Sequence, residues 1–262
     1  MKNLIFLLSY ILFPSTTWAQ GELNTSPPIS VFFSSPFSVE QNIIGLQMVS
    51  LNIVNLQEKS LRIYAPDYFS LKVESVEGKV YRISERGLIS SSNKGYFVLE
   101  PFDTFTVEIN VNFFDFAEQY FNNRSDVNTA KLEINFWWEI YARGFSKPYV
   151  TEKRKAILNP LELIDLEAFN FLKSIEENPY NFSTKAVLRS SSSGTHTRNL
   201  LVQNYPQSTF ATLASLSLAY QRAREAKATP ELKDQVTQLL EKPLKSEYSF
   251  VRYLAEELKK KQ

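Results

Sequence analysis

The sequence predicts an antiparallel β-sandwich followed by a small C-terminal helical bundle, an all-β plus all-α chain. Two observations carry this. From Phe105 to Phe113, and again from Leu132 to Ile140, every second residue is large and apolar, the two-residue period of a strand with one buried face. At Asn159-Pro160 the apolar spacing changes to three and four, the period of an amphipathic helix. The boundaries that follow are 1–19 for a signal peptide, 20–28 for a leader, 29–158 for the sandwich and 159–262 for the helices.

The first residues read as a secretory signal peptide. Lys2 supplies the positive start, Leu4 to Phe13 the apolar stretch, and Thr17-Trp18-Ala19 the small residues before a cleavage site. Cleavage after Ala19 makes Gln20 the mature N-terminus. The apolar run is too short to span a bilayer, which takes about 20 residues, so no transmembrane segment is expected after cleavage. The expected location is periplasmic or secreted. The chain contains no cysteine, so the exported domain depends on its hydrophobic core and not on disulfides. That core is well supplied, with 44% hydrophobic residues and 20 Phe and 13 Tyr against 7 Gly. Removing Lys2 leaves 28 basic residues against 28 acidic ones. A neutral chain has no global field to draw nucleic acid or an anionic membrane, and neither partner is expected.

Residues 20–28 are polar and end in Pro27-Pro28. Ile29 to Phe33 reads as an edge strand, and Ile43 to Val54 as the next. Leu61 to Tyr64 is short, and Phe69, Leu71 and Val73 alternate into a Glu77-Gly78 hairpin with Val80, Tyr81 and Ile83 beyond it. Ser84 to Lys94 is a polar loop. Tyr96 to Leu99 turns through Glu100-Pro101-Phe102-Asp103 into the long run at Phe105. Between the long strands, Phe116, Tyr120 and Phe121 predict a helical turn beneath the sandwich, with Asn122 to Asp126 as an exposed tip. Tyr149 to Leu158 reads as a last strand.

This arrangement resembles the immunoglobulin-like domains of bacterial envelope proteins, with a strand ending in Asn55, a Tyr-containing strand, the Leu99-Glu100-Pro101 turn and then the long strand. The family pattern places Gly after that Pro, where this chain has Phe102-Asp103, and the Cys–Trp–Cys core of antibody domains is missing. The resemblance covers roughly residues 29–158 and implies an architecture.

Leu161, Ile164, Ala168, Phe171, Leu172 and Ile175 form a helical stripe with Pro160 in the first turn and Asn178-Pro179 after the end. Tyr180 to Leu188 reads as a short helix and Ser190 to Thr195 as a break. Arg198 to Asn204 and Phe210 to Arg224 are helices joined by Tyr205-Pro206-Gln207-Ser208-Thr209. That junction, with small residues Ala211, Ala214 and Ala219 after it, is similar to the helix–turn–helix units of tetratricopeptide proteins. No second copy follows at a fixed period, so a bundle is expected and not an array. Helices from Thr229-Pro230 to Leu240 and from Glu247 to Lys261 complete the chain, the last with Phe250, Leu254 and Leu258 on one stripe.

Catalytic material is sparse. Without Cys there is no thiol nucleophile or thiolate metal site. The single His196 stands beside Ser190 to Ser193 without a nucleophile elbow. Glu176-Glu177 and Glu256-Glu257 fall on solvated helix faces, and Asp115 and Asp126 lack calcium-loop spacing. No catalytic residue, metal site or cofactor is expected. The candidate partner-binding residues are Trp137, Glu139 and Tyr141, on the polar face of the Leu132–Ile140 strand. Large aromatics there either pack against the chain's own helices or contact a partner, an envelope or secreted protein or a glycan. The expected role is binding or scaffolding. The alternatives are an inhibitor or regulator of a secreted hydrolase working through a sandwich loop such as Ser84 to Lys94, and a carboxylate-based hydrolase.

Overall fold

A computed structural model describes residues 25–33, 40–44, 46–64, 69–84, 96–121, 131–182, 194–226, 229 and 231–261. The signal-peptide region, the start of the leader, the Ser84–Lys94 loop beyond Ser84, the Asn122–Asp126 tip and Ser190 to Ser193 lie outside these residues. Strands occupy the N-terminal part and helices the C-terminal part. The strands are β1 (Ile29–Phe33), β2 (Glu40–Asn42), β3 (Leu46–Asn55), β4 (Leu61–Tyr64), β5 (Phe69–Glu74), β6 (Val80–Ser84), β7 (Tyr96–Leu99), β8 (Thr104–Asn112), β9 (Leu132–Ile140), β10 (Tyr149–Val150) and β11 (Arg154–Asn159). The helices are α1 (Phe114–Phe121), α2 (Leu163–Ser174), α3 (Thr195–Asn204), α4 (Thr209–Glu225), α5 (Leu232–Leu240) and α6 (Ser249–Lys260), with 3-10 turns at Pro179–Phe182 and Pro243–Lys245.

One sheet has the order β1-β3-β8, antiparallel throughout. The larger sheet runs β2-β11-β9-β5-β6, with β10 also on β9, and only the β2–β11 pair is parallel. β4 and β7 form a two-stranded ribbon tied to the larger sheet by the bridge between Ile63 and Ala142. The alternating residues meet where they were expected to. Leu51, Ile53, Val107 and Ile109 from one sheet, and Phe136, Trp138 and Ile140 from the other, are all buried. The Phe33 and Trp138 rings lie 5.3 Å apart across the two sheets.

Three strand expectations need correction. Ile43 to Val54 is not one strand: β2 ends at Asn42 and β3 begins at Leu46. The Ile43 N–H donates to Asn159 O and the Ile44 N–H to Asn42 Oδ1. Both isoleucines are buried side by side, which a strand with one wet face cannot do. Tyr149 to Leu158 is also broken. Tyr149 lies opposite Ile140, but Arg154 lies opposite Phe136, a shift of one residue in register. Thr151 makes the shift possible, because its Oγ1 accepts the Trp138 N–H at 2.9 Å in place of a strand carbonyl. The long strand starting at Phe105 starts one residue earlier, at Thr104.

The helices follow the predicted order with shifted ends. α2 begins at Leu163 with Glu162 as its N-cap, so Pro160 lies outside it. Its buried line is Asp165, Ala168, Phe169 and Leu172, while Ile175 is exposed. Tyr180 starts no α-helix among the described residues; a 3-10 turn spans Pro179–Phe182. α5 begins at Leu232 and not at Thr229. In α4, every residue from Thr209 to Ala219 is buried, which marks it as the central helix, surrounded on all sides. Phe169 of α2 and Phe114 of α1 both reach the Phe210 ring, at 6.2 and 5.8 Å. Ser215 Oγ donates to Leu239 O in α5, and the Tyr220 hydroxyl to Leu254 O in α6.

The helices also dock on the strands. The Met48 N–H of β3 donates to Ser249 Oγ at the start of α6, 3.1 Å away. Phe114 packs between Phe210 and Tyr180, so the strand and helix parts share one hydrophobic core.

Candidate functional site

The predicted aromatic face is built on β9, where Trp137, Glu139 and their neighbours alternate with the core-facing Phe136 and Trp138. The structure brings Trp137, Glu139 and Tyr141 together on one side, but it does not leave the indole free. Trp137 is only 9% exposed. The Lys153 Nζ, from the connection between β10 and β11, lies 4.7 Å from its ring centroid. The favourable placement of an ammonium over an indole face accounts for this cover. Glu139 Oε2 accepts the Tyr141 hydroxyl at 3.0 Å and pairs with Lys72 Nζ at 3.3 Å. Lys153 also pairs with Glu74 Oε2 at 3.0 Å, which accepts Asn135 Nδ2 as well. The Lys153 hydrogen bond holds the Glu74 carboxyl below its ordinary range. Burial, and then the hydrogen bond to Glu139, raises the Tyr141 phenol. The face is a lattice of paired charges with a covered Trp, suited to shielding the sheet.

The more distinctive geometry lies in the helices and involves residues that the sequence reading passed over. The first turn of α4 is held from two directions. Ser208, its N-cap, accepts the Ala211 N–H at 3.0 Å. Asp165, from α2, accepts the Thr209 N–H at 2.6 Å through Oδ1 and the Thr209 hydroxyl at 2.8 Å through Oδ2. Free N–H groups and the positive end of the helix dipole favour a carboxylate there. Asp165 is 3% exposed. Burial raises its pKa, and the two bonds from Thr209 only partly offset that. The available signal was an acid at helical spacing between Leu161, Ala168 and Leu172, where a solvated residue does not belong.

Beside this staple, two depressions open between the helices. One of about 440 Å³ lies between the start of α4, the Pro243–Lys245 turn and Tyr248; another of about 420 Å³ lies between α3, α4 and α5. Pro206, Glu241 and Lys242 line both of them. The half-buried Lys242 Nζ donates to Ser208 O at 3.4 Å, and burial lowers its pKa while the charge of Asp165 acts the other way. Tyr248 is raised well above the usual phenol range, chiefly by burial.

Among the described residues no cluster of His, Asp and Glu could hold a metal ion, and no helix is long and apolar enough to cross a membrane. His196 is exposed on the first turn of α3.

Neither a protein-family profile nor any curated protein matches the chain. Solved structures show low similarity. A fragment of Escherichia coli alpha-2-macroglobulin, from domain MG7 to the C-terminus, is 11% identical with a TM-score of 0.29; the match covers 52% of this chain and 17% of that one. The ASH/PapD-like domain 7 of human CEP192 is 11% identical at TM-score 0.28, over 60% of this chain and 98% of that one. The Bacillus subtilis sporulation control protein Spo0M is 9% identical at TM-score 0.28, over 56% of each chain.

Proposed function

We propose that this is an exported, non-catalytic protein of a bacterial envelope that holds another protein in its helical groove, with an immunoglobulin-like sandwich as the platform behind it. The groove is the observation that carries the reading. Its two depressions are adjacent, with Pro206, Glu241 and Lys242 lining both. The amide side chains of Asn199, Gln207, Gln235 and Gln238 stand along it. Each amide offers donors and an acceptor, which suits the backbone of an extended polypeptide. Lys242 adds a cation where the two halves meet.

The immunoglobulin-like reading is supported by two mainly antiparallel sheets that meet through Phe33 and Trp138. A tetratricopeptide-like pairing of α3 and α4 is supported by the Tyr205–Ser208 turn, in which the Ser208 N–H closes onto Tyr205 O and Ser208 caps α4. Export is supported by the pattern of residues 1–19, and a non-catalytic role by the lack of Cys and the single His.

The test places a benzophenone side chain at Gln238, an exposed position on α5, in the host cell. Irradiation is expected to yield an adduct to a protein outside the cytoplasm, and N-terminal sequencing of the mature chain is expected to start at Gln20. A mature chain retaining Met1, or a Gln238 probe that captures nothing, would remove the proposal.

A further inference from the structure

We infer that the end of the three-stranded sheet farthest from the helices is a second protein-docking tip, where Leu56 and Phe102 insert together into an apolar socket rimmed by basic side chains on a partner. This goes beyond the groove reading and uses a different part of the molecule.

The tip is built by extending the sheet one step past its strands. In the ladder Val54 lies opposite Thr104. The Asn55 N–H donates to Asp103 O at 3.0 Å and the Leu56 N–H to Pro28 O at 3.0 Å. Leu56 follows β3 and Phe102 precedes β8 at this same end of the sheet, each one residue past the Asn55–Asp103 bond. Asn55, fully buried, locks the surrounding chain. Its Nδ2 lies within hydrogen-bond distance of the carbonyls of Lys59, Leu99 and Glu100, and its Oδ1 accepts the Gln57 N–H. The two apolar side chains thus stand on a rigid base, which lowers the entropy lost on docking.

Phe102 is held there against local preference. The Asp103 N–H closes onto Glu100 O, and Pro101 fits the second position of a type I or a type II turn; the type II form, which this turn takes, has a left-handed third position where glycine is usual. Phe102 occupies it at φ 56°. A bulky residue with positive φ is a strained exception, and such exceptions concentrate at functional positions. Packing within the chain does not repay the strain, because Phe102 is 65% exposed and Leu56 is 56% exposed.

Position and charge decide between occupants. The helices dock at the other end of β3, through Met48, eight residues from Leu56 and about 27 Å away at strand spacing. Among the described residues within three positions of Leu56 or Phe102, the charged ones are Glu58, Glu100 and Asp103 against Lys59. This acidic rim repels an anionic lipid surface. It also repels a second copy of the tip in a two-fold pairing, where each rim would face its own kind. A protein socket with a basic rim matches both the apolar pair and the charge.

The test uses the full chain in its host with a benzophenone side chain at position 56 or, as a control, at Val76, an exposed apolar position in the β5–β6 hairpin. The position 56 probe is expected to capture one protein, at a segment where Lys or Arg flanks apolar residues, and the Val76 probe is not. In the position 56 background, Phe102→Gly is expected to lower the yield about tenfold or more, as loss of an anchor residue does. The purified Phe102→Gly protein should melt no lower than the parent, because glycine relieves the backbone strain; this separates lost docking from lost folding. The Gln238 adduct should persist in Phe102→Gly, so failure of the groove reading and failure of the tip are distinguishable. Adducts to lipid or to a second copy, adducts shared with the Val76 probe, no adduct, or a yield unaffected by Phe102→Gly would each overturn the inference.

Discussion

Replacing Asp165 tests whether the α2–α4 staple holds the helical part together. In Asp165→Ala the Thr209 N–H and hydroxyl, on a residue that is itself buried, lose their acceptors. A buried donor left unsatisfied costs about 1–3 kcal/mol. Two donors are affected, but the variant also avoids burying a carboxylate, so the net loss is expected near 2 kcal/mol. For a cooperative unit of this size that lowers the melting temperature by about 4–8 °C. Asp165→Asn keeps an Oδ1 acceptor for the N–H and can donate to the Thr209 hydroxyl, so it is expected to lose less than the alanine variant.

The pH dependence separates charge from shape. The Asp165 pKa is raised in the folded protein above its ordinary 3.8, mainly by burial. The folded state therefore holds the proton more tightly than the unfolded chain does. The associated stability is fully present below the ordinary value and is lost as pH rises through the folded pKa. Urea titrations of parent and Asp165→Asn across the acidic range should show the difference moving in favour of the parent as pH falls. A difference that is flat, or that moves towards asparagine on acidification, would refute the account, and so would an alanine variant as stable as the parent.

Other perturbations follow from the same structure. Asn55→Ala removes the anchor of the tip and strands several buried carbonyls, at a cost of roughly 2–4 kcal/mol in denaturant titrations, with faster amide exchange at Gln57. Ser208→Ala removes the α4 N-cap and should cost about 1 kcal/mol; no change in the urea midpoint would show that Asp165 alone is sufficient. Burial pushes Tyr180 and Tyr220 up to about 12, so their contribution is present below the ordinary value of 10 and lost as pH rises through the folded pKa. Tyrosinate absorbance should therefore show a late phase coincident with loss of helical circular dichroism, and ionisation of every tyrosine near 10 with the fold intact would contradict this. Lys153→Gln removes the cation over Trp137 and should shift tryptophan emission with little change in melting temperature.

Residues that act through their own neighbours were legible in the sequence. Alternation placed β5, β8 and β9 because strand geometry sends successive side chains to opposite faces, and one face here is dry. The Tyr205–Thr209 turn and the Phe250, Leu254 and Leu258 stripe were legible for the same reason, since a turn and a helix face span only a few residues. Errors came where a distant partner overrides the local period. Ile43 bonds to Asn159, and Thr151 substitutes its hydroxyl for a strand carbonyl, so runs that look continuous are broken. Cover of Trp137 by the chain itself was one of the two sequence readings, but its source was not legible: Lys153 reaches the ring from a strand connection and not from the helices.

The order of strands before helices, the buried rows of the two long strands and the turn at Pro101 are properties of the chain itself, because each depends on contacts between residues close in sequence or on a strict repeat. The burial of Asp165 against Thr209, the shared Phe114–Phe210 core, the depressions between the helices and the exposure of Leu56 and Phe102 belong to the assembled fold. Each depends on which distant segments meet and which water they exclude, and no local pattern encodes that.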